Sequence, residues 1–218
     1  FPKQGRHSVG VARQYCGMLG KQDNCQVAVS VSLAFQAGSL PVAWRLYLPP
    51  QWMDDRARCD KAGVPPGVQF ATKAQIALAQ IERLMAQGAL RHCVLADAGY
   101  GVDTAFRERL SELGLPYVVG VTGSVTVWPA GHAPLPPAPY SGKGVRPTRQ
   151  RLGHDVHERP QSVKELAHAL APSHWHSIEW REGSNFTLRS RFARVRVRAA
   201  HREYLRTEQR PQQWRLIE

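Results

Sequence analysis

Between Gln26 and Phe35 apolar residues alternate with small or polar ones, and Gly38 and Pro41 separate this run from a second apolar stretch, Val42 to Leu48. Alternation with a period of two on both sides of a turn predicts a β-hairpin. Pro49-Pro50 closes it, and the charged stretch Trp52 to Lys61 reads as a short helix ended by Gly63 and Pro65-Pro66. The period then changes. Ile76, Ala79, Ile81, Leu84 and Met85 recur at near-helical spacing, Thr72 offers an N-cap and Gly88 a stop, so a helix is predicted to Gln87. Cys93-Val94-Leu95-Ala96 reads as a short buried strand, with Cys93 in the core, that ends at Asp97 before a Gly99-Tyr100-Gly101 loop. Asp103 caps a second helix with Phe106, Leu110 and Leu113 on one face up to Gly114, and Tyr117 to Val121 is a further buried strand. A strand, helix, strand order implies a parallel pair with helices packed on the sheet, which makes the fold class α/β.

Composition shifts after Trp128. Residues 129–161 are crowded with Pro and Gly and suit an exposed connection. Beyond it Ser162 begins a short helix, Val163 to Leu170, and Trp175 to Glu182, Arg189 to Arg198 and Gln213 to Glu218 read as strands of a small antiparallel sheet. The expected organisation is therefore a core over 1–128, a connection over 129–161 and a β-rich basic module over 162–218.

Length and charge sharpen this picture. The 218 residues are 43% hydrophobic, enough to bury one ordinary core or two small ones, and this argues against disorder. Twenty-nine Lys and Arg stand against 17 Asp and Glu, a formal charge of +12, which favours a polyanionic partner. From Ser141 to Glu218 there are 16 basic and 8 acidic side chains, so +8 of the +12 lies in the second module. No run approaches the roughly 18 apolar residues of a membrane span, and no signal peptide is visible, so a cytoplasmic protein is expected. The chain begins Phe1-Pro2-Lys3 without Met and stops at Leu216-Ile217-Glu218 within a predicted strand, so both ends are read as cut. Cys16, Cys25, Cys59 and Cys93 show no CxxC or zinc spacing, which points to reduced thiols.

Asp97 stands where a strand of an open α/β sheet gives way to a Gly-rich loop, the usual place for ligand-binding groups. The plainer alternative is an Asp that hydrogen-bonds the backbone of its own loop. In Arg191 to Arg198 the two-residue period sends Ala193, Val195 and Val197 to one face and Arg194, Arg196 and Arg198 to the other, a comb that either tracks phosphates or is simply solvated. The segment Lys3 to Lys21, with Arg6, His7 and Arg13, reads either as a DNA-backbone contact or as a flexible turn between core strands. His168, His174 and His176 cluster around Trp175 without metal-binding spacing and are read as surface or partly packed residues.

Several segments carry a resemblance. Phe1-Pro2-Lys3-Gln4-Gly5, Ser8-Val9-Gly10-Val11-Ala12-Arg13-Gln14-Tyr15-Cys16-Gly17, Gly20-Lys21-Gln22-Asp23-Asn24-Cys25-Gln26 and Leu95-Ala96-Asp97-Ala98-Gly99-Tyr100-Gly101 resemble the DDE transposases of bacterial insertion sequences, in particular the IS4-related group. Ser162 to Ala167 and Arg189 to Ala193 extend the resemblance through the second half of the chain. It implies a ribonuclease-H-like mixed sheet with flanking helices, incomplete at both ends, carrying a β-rich insertion. It also implies three acids that bind two Mg2+ or Mn2+ ions and cut and rejoin DNA.

Asp97 matches the second acid. The first, in an Asp-Asp-Thr-Gly motif, falls before the Phe-Pro-Lys segment and the third, a Glu in a helix, falls past Glu218, so the chain is read as an interior fragment without activity of its own. Asp54, Asp55, Asp60 and Asp103 do not match the family pattern and are read as capping or solvated. The resemblance further implies DNA as partner, contacted by Arg6, Arg13, Lys21, Arg191, Arg194, Arg196 and Arg198, with a homodimer allowed and a nucleoid-associated bacterial setting. Two rival readings are a non-catalytic DNA-binding remnant and another ribonuclease-H-like nuclease such as a resolvase.

Overall fold

The computed structural model describes residues 1–35, 38–153, 159–182, 186–200 and 212–217, the last of these by backbone alone. The chain is a mixed α/β protein of two compact units, Phe1–Gly120 and Val121–Glu218. Among the described residues no helix is long and apolar enough to cross a membrane.

The first unit opens with a two-stranded antiparallel ribbon, β1 (Ala12–Cys16) and β2 (Lys21–Cys25). This is the segment expected to be either a DNA-backbone contact or a flexible turn; its backbone is a regular ladder. The predicted hairpin follows as β3 (Ala28–Phe35) and β4 (Gly38–Leu46). Pro41 has no N–H to give the ladder, and the register shifts between Val31 and Ser32 where Pro41 enters it. The charged stretch forms two short helices, α1 (Pro50–Met53) and α2 (Arg56–Lys61). Trp52, fully buried, donates its indole N–H to the Val11 carbonyl at 2.8 Å and packs with Cys59 and Val64 into a small cluster that supports the ribbon.

Helix α3 (Lys73–Ala86) starts where Thr72 was expected to cap it, in a capping box: the Thr72 hydroxyl accepts from the Gln75 N–H while the Gln75 side chain accepts from the Thr72 N–H. Its apolar stripe, with Ala74, Ile76, Ala77 and Ile81 buried, packs with Phe106, Leu110 and Leu115 and with Val29 of β3. Strand β5 (Val94–Ala96) leads through a single helical turn, α4 (Ala98–Gly101), into α5 (Thr104–Glu112) and then β6 (Tyr117–Val119). Strands β5 and β6 pair in parallel, Val94 with Tyr117 through Ala96 with Val119, as the strand and helix order predicted.

The expectation that these two strands are buried needs correction. Helices cover one face only: Val94, Ala96 and Val119 pack into the core, while Leu95 is 69% and Val118 59% exposed. Cys93, expected in the core, is exposed as well, two residues before the exposed Leu95. The hairpin β3–β4 and the pair β5–β6 share one core but no hydrogen-bond ladder.

In the second unit β7 (Thr126–Trp128), β8 (Gln161–Ser162), β9 (Trp175–Glu182), β10 (Thr187–Ala199) and β11 (Gln212–Ile217) form one antiparallel sheet around β10. Strand β10 pairs with β9 over Thr187–Ala193, with β11 over Ala193–Arg198 and with β7 at Arg198 and Ala199. Glu218, the last residue of the third strand expected here, lies outside the described residues. Helix α6 (Val163–Ala169), capped reciprocally by Ser162 and Glu165, packs Val163 against Val127 and Val197. Between these elements, Leu135 and Arg151 form an isolated bridge in the Pro/Gly-rich stretch.

Candidate functional site

Asp97 lies one residue beyond β5, at the carboxyl end of the parallel pair, with its side chain exposed. Its backbone is extended (φ −76°, ψ 179°), and it caps α4: Oδ1 accepts from the Gly99 N–H at 2.8 Å and the carbonyl accepts from Tyr100 and Gly101 at 3.1 and 2.9 Å. The carboxylate therefore serves its own turn and faces solvent at once.

The turn is fixed from below by close backbone approach. A Cβ on Gly101 would stand 1.8 Å from the Gly120 carbonyl oxygen, and one on Gly120 would stand 2.8 Å from the Ala98 nitrogen. Only glycine at both positions lets the Asp97 turn settle on the end of β6. The Gly120 N–H also donates to the Ala96 carbonyl at 2.9 Å, which extends the ladder to the residue before Asp97.

From above, Arg107 of α5 closes the turn. Although charged, it is 1% exposed; Nη1 donates to the Gly101 carbonyl and Nη2 to the Thr104 hydroxyl at 3.1 Å. An Arg side chain on a helix leans toward the N-terminus, which brings this guanidinium back over α4. Tyr100 stacks at a tilt on Phe106 with ring centroids 5.8 Å apart, and its phenol is pushed above its ordinary pKa, first by burial and then by the negative charge of Asp97. Sequence reasoning missed Arg107, Gly101 and Gly120 as supports. The available signal was a charge at position 107 on the stripe of Phe106 and Leu110.

Divalent-ion chemistry at this place needs more oxygen ligands than Asp97 supplies. Two ions about 3.5 to 4 Å apart take several carboxylates, and among the described residues no group of three or more His, Cys, Asp or Glu side chains could hold a metal. The described residues do not by themselves fit a two-ion site. Asp55 and Asp103 accept from the Arg58 and Phe106 N–H groups as helix caps, and Asp60 pairs with Arg56.

The basic candidates fall into two groups. In the first unit Arg6 is exposed and its carbonyl accepts from Arg58 at 2.7 Å. Arg13 is exposed on β1, and Lys21 opens β2 with an ion pair to Asp23 at 3.4 Å. The register puts Arg13 opposite Asn24 and Lys21 opposite Cys16, hence on different faces of the ribbon. In the second unit Ala193, Val197 and Ala199 are buried, Arg194 and Arg196 are exposed and Arg198 is half-buried, so the expected alternation holds along β10. Arg191 has the parity of the apolar face rather than of the comb, and its guanidinium sits 5.6 Å from the Trp175 ring centroid.

The comparisons with known proteins agree with the chain's resemblance to DDE transposases of insertion sequences. The family model described as DDE superfamily endonuclease matches residues 1–187. A probable transposase for insertion sequence element IS701 from Microchaete diplosiphon is 33% identical over 133 residues, which cover 60% of this chain and 32% of that protein. The matched segment thus spans about a third of the curated relative's length. No solved structure matches.

Proposed function

The chain belongs to the DDE superfamily endonucleases, and from that premise we propose that it works as part of an insertion-sequence transposase that cuts and rejoins DNA, with Asp97 as one ligand of a Mg2+ or Mn2+ site. The observation that carries this reading is an exposed carboxylate at the carboxyl end of a parallel strand pair, on a turn fixed by two obligatory glycines and a buried arginine. Such rigidity suits a ligand that must not move as charge develops on a phosphate. The other carboxylates come from parts of the transposase outside the described residues.

We read the sheet of the first unit as ribonuclease-H-like. Hairpin β3–β4 and pair β5–β6 contribute to one core without a shared ladder, which suits one further strand between them. The Phe1 carbonyl accepts from the Gln26 N–H and the Lys3 N–H donates to the Asn24 carbonyl, so the chain there runs antiparallel beside the end of β2. The basic module over 162–218 is read as a DNA-contacting insertion, with Arg194, Arg196 and Arg198 toward phosphates and a homodimer as the working assembly.

Anisotropy titration of the 218-residue chain with a duplex tests the DNA reading. Affinity is expected to fall about a hundredfold or more between 50 and 200 mM salt as bound cations are released. An affinity independent of salt contradicts it. The same chain is expected to show no Mg2+-dependent cleavage; reproducible cutting lost in Asp97→Ala would contradict the need for carboxylates from elsewhere.

A further inference from the structure

Among the described residues the ribbon β1–β2 is a two-stranded sheet of its own, with Pro2 bridged to Cys25 at its β2 edge, and its two faces differ. The register pairs Ala12 with Cys25 and Cys16 with Lys21, which sets the buried Ala12, Cys16 and Cys25 on one face. Arg13 opposite Asn24 and Tyr15 opposite Gln22 make up the other. On that second face Arg13, Tyr15 and Gln22 are exposed, while Asn24 is tied down, donating to the Lys3 and Gly5 carbonyls at 2.7 and 3.0 Å. At the tip, between Gly17 and Gly20, Met18 is 70% and Leu19 43% exposed.

This outer face suits a particular partner. Arg and Gln make paired hydrogen bonds to purine edges, apolar side chains meet thymine methyl groups, and a two-stranded ribbon fits the major groove, about 12 Å wide. Charge agrees: Lys3, Arg6, Arg13 and Lys21 lie in or beside the ribbon, and its acid, Asp23, is held by Lys21 on the opposite face. This local excess of cations over the single acid favours a polyanion such as duplex DNA over a protein surface of mixed charge.

We propose that the β1–β2 ribbon enters the major groove of duplex DNA, with Arg13 and Gln22 on base edges and Met18 and Leu19 against thymine methyls. The inference rests on the reading that the chain acts on DNA, and it adds an element that gives this protein its sequence preference.

The test uses the full-length protein and three duplexes: the element's terminal sequence, a scrambled sequence of equal composition, and the terminal sequence with deoxyuridine for thymidine. Arg13→Ala is expected to reduce the preference for terminal over scrambled DNA about tenfold, within the range for one paired base contact. Uridine substitution is expected to weaken the unaltered protein about threefold or more and to leave a Met18→Ser, Leu19→Ser double variant unchanged. These side chains are exposed, so matching thermal unfolding of the variants is expected and is checked alongside. If the unaltered protein binds DNA but neither variant changes preference or uridine sensitivity, the ribbon proposal is overturned while the DNA reading stands. Loss of a dimer in the double variant with DNA preference intact overturns it in favour of a contact between copies. Failure of the unaltered protein to bind any duplex removes both.

Discussion

Beyond β5 one carboxylate is held by backbone approach, with Gly101 and Gly120 in contact and Arg107 closing over them. Along β10 several guanidinium groups are set out by the two-residue period, with Ala193, Val197 and Ala199 buried beneath. The first arrangement fixes one atom group and tolerates almost no change in its supports. The second spreads charge over a surface and tolerates the loss of any one member. That contrast suits a ligand at a reacting centre on one side and a phosphate-tracking surface on the other.

The sharpest way to break the comparison is in the supports of Asp97. Phe106→Ala, which empties a side chain 1% exposed beneath Tyr100, is expected to destabilise the first unit by about 3 to 5 kcal/mol in urea unfolding. A loss under 1 kcal/mol would show that the turn does not depend on that core. Gly101→Ala follows at about 3 kcal/mol, because the added methyl meets backbone rather than a side chain that could move. An unchanged midpoint would contradict the glycine contact.

On the β10 side, Arg194→Ala, Arg196→Ala and Arg198→Ala together are expected to lower the log–log salt slope of DNA binding by about 3, and each alone by about 1, without moving the unfolding midpoint in proportion. An unaltered slope in the triple variant removes β10 from the DNA surface.

The smallest effect is local to α6. Glu165 is held below the ordinary carboxylate pKa, first by the Ser162 backbone N–H and then by its hydroxyl. A depressed folded-state pKa adds stability above the unfolded value and loses it as pH falls through the folded one. Ser162→Ala should therefore shift the Glu165 titration upward in a carboxyl NMR experiment, and an unmoved titration would deny the capping box its electrostatic part.

The same contrast explains what was legible in the amino-acid pattern. The β3–β4 hairpin, α3 from its Thr72 cap, α5 from its Asp103 cap and the alternation on β10 follow from local period and capping chemistry, and the structure has them all. The ribbon does not, because Lys21 to Asn24 is polar throughout and its support comes from Trp52, which reaches Val11 across 41 positions. Leu95 and Cys93 were misjudged because apolar identity does not say which face of a strand the helices cover. Asp97 was found as a position, but Arg107, Gly101 and Gly120 depend on a tertiary approach that no spacing announces.

The central claim, that the Asp97 carboxylate is a metal ligand in a DNA-cleaving centre, is tested most directly by replacing it with a softer donor. In the full-length protein, Asp97→Cys assayed on terminal-sequence DNA is expected to be inactive with Mg2+, which prefers oxygen, and partly restored with Mn2+, while Asp97→Ala stays inactive with both. Cleavage by Asp97→Ala at the unaltered rate with Mg2+ would contradict the account.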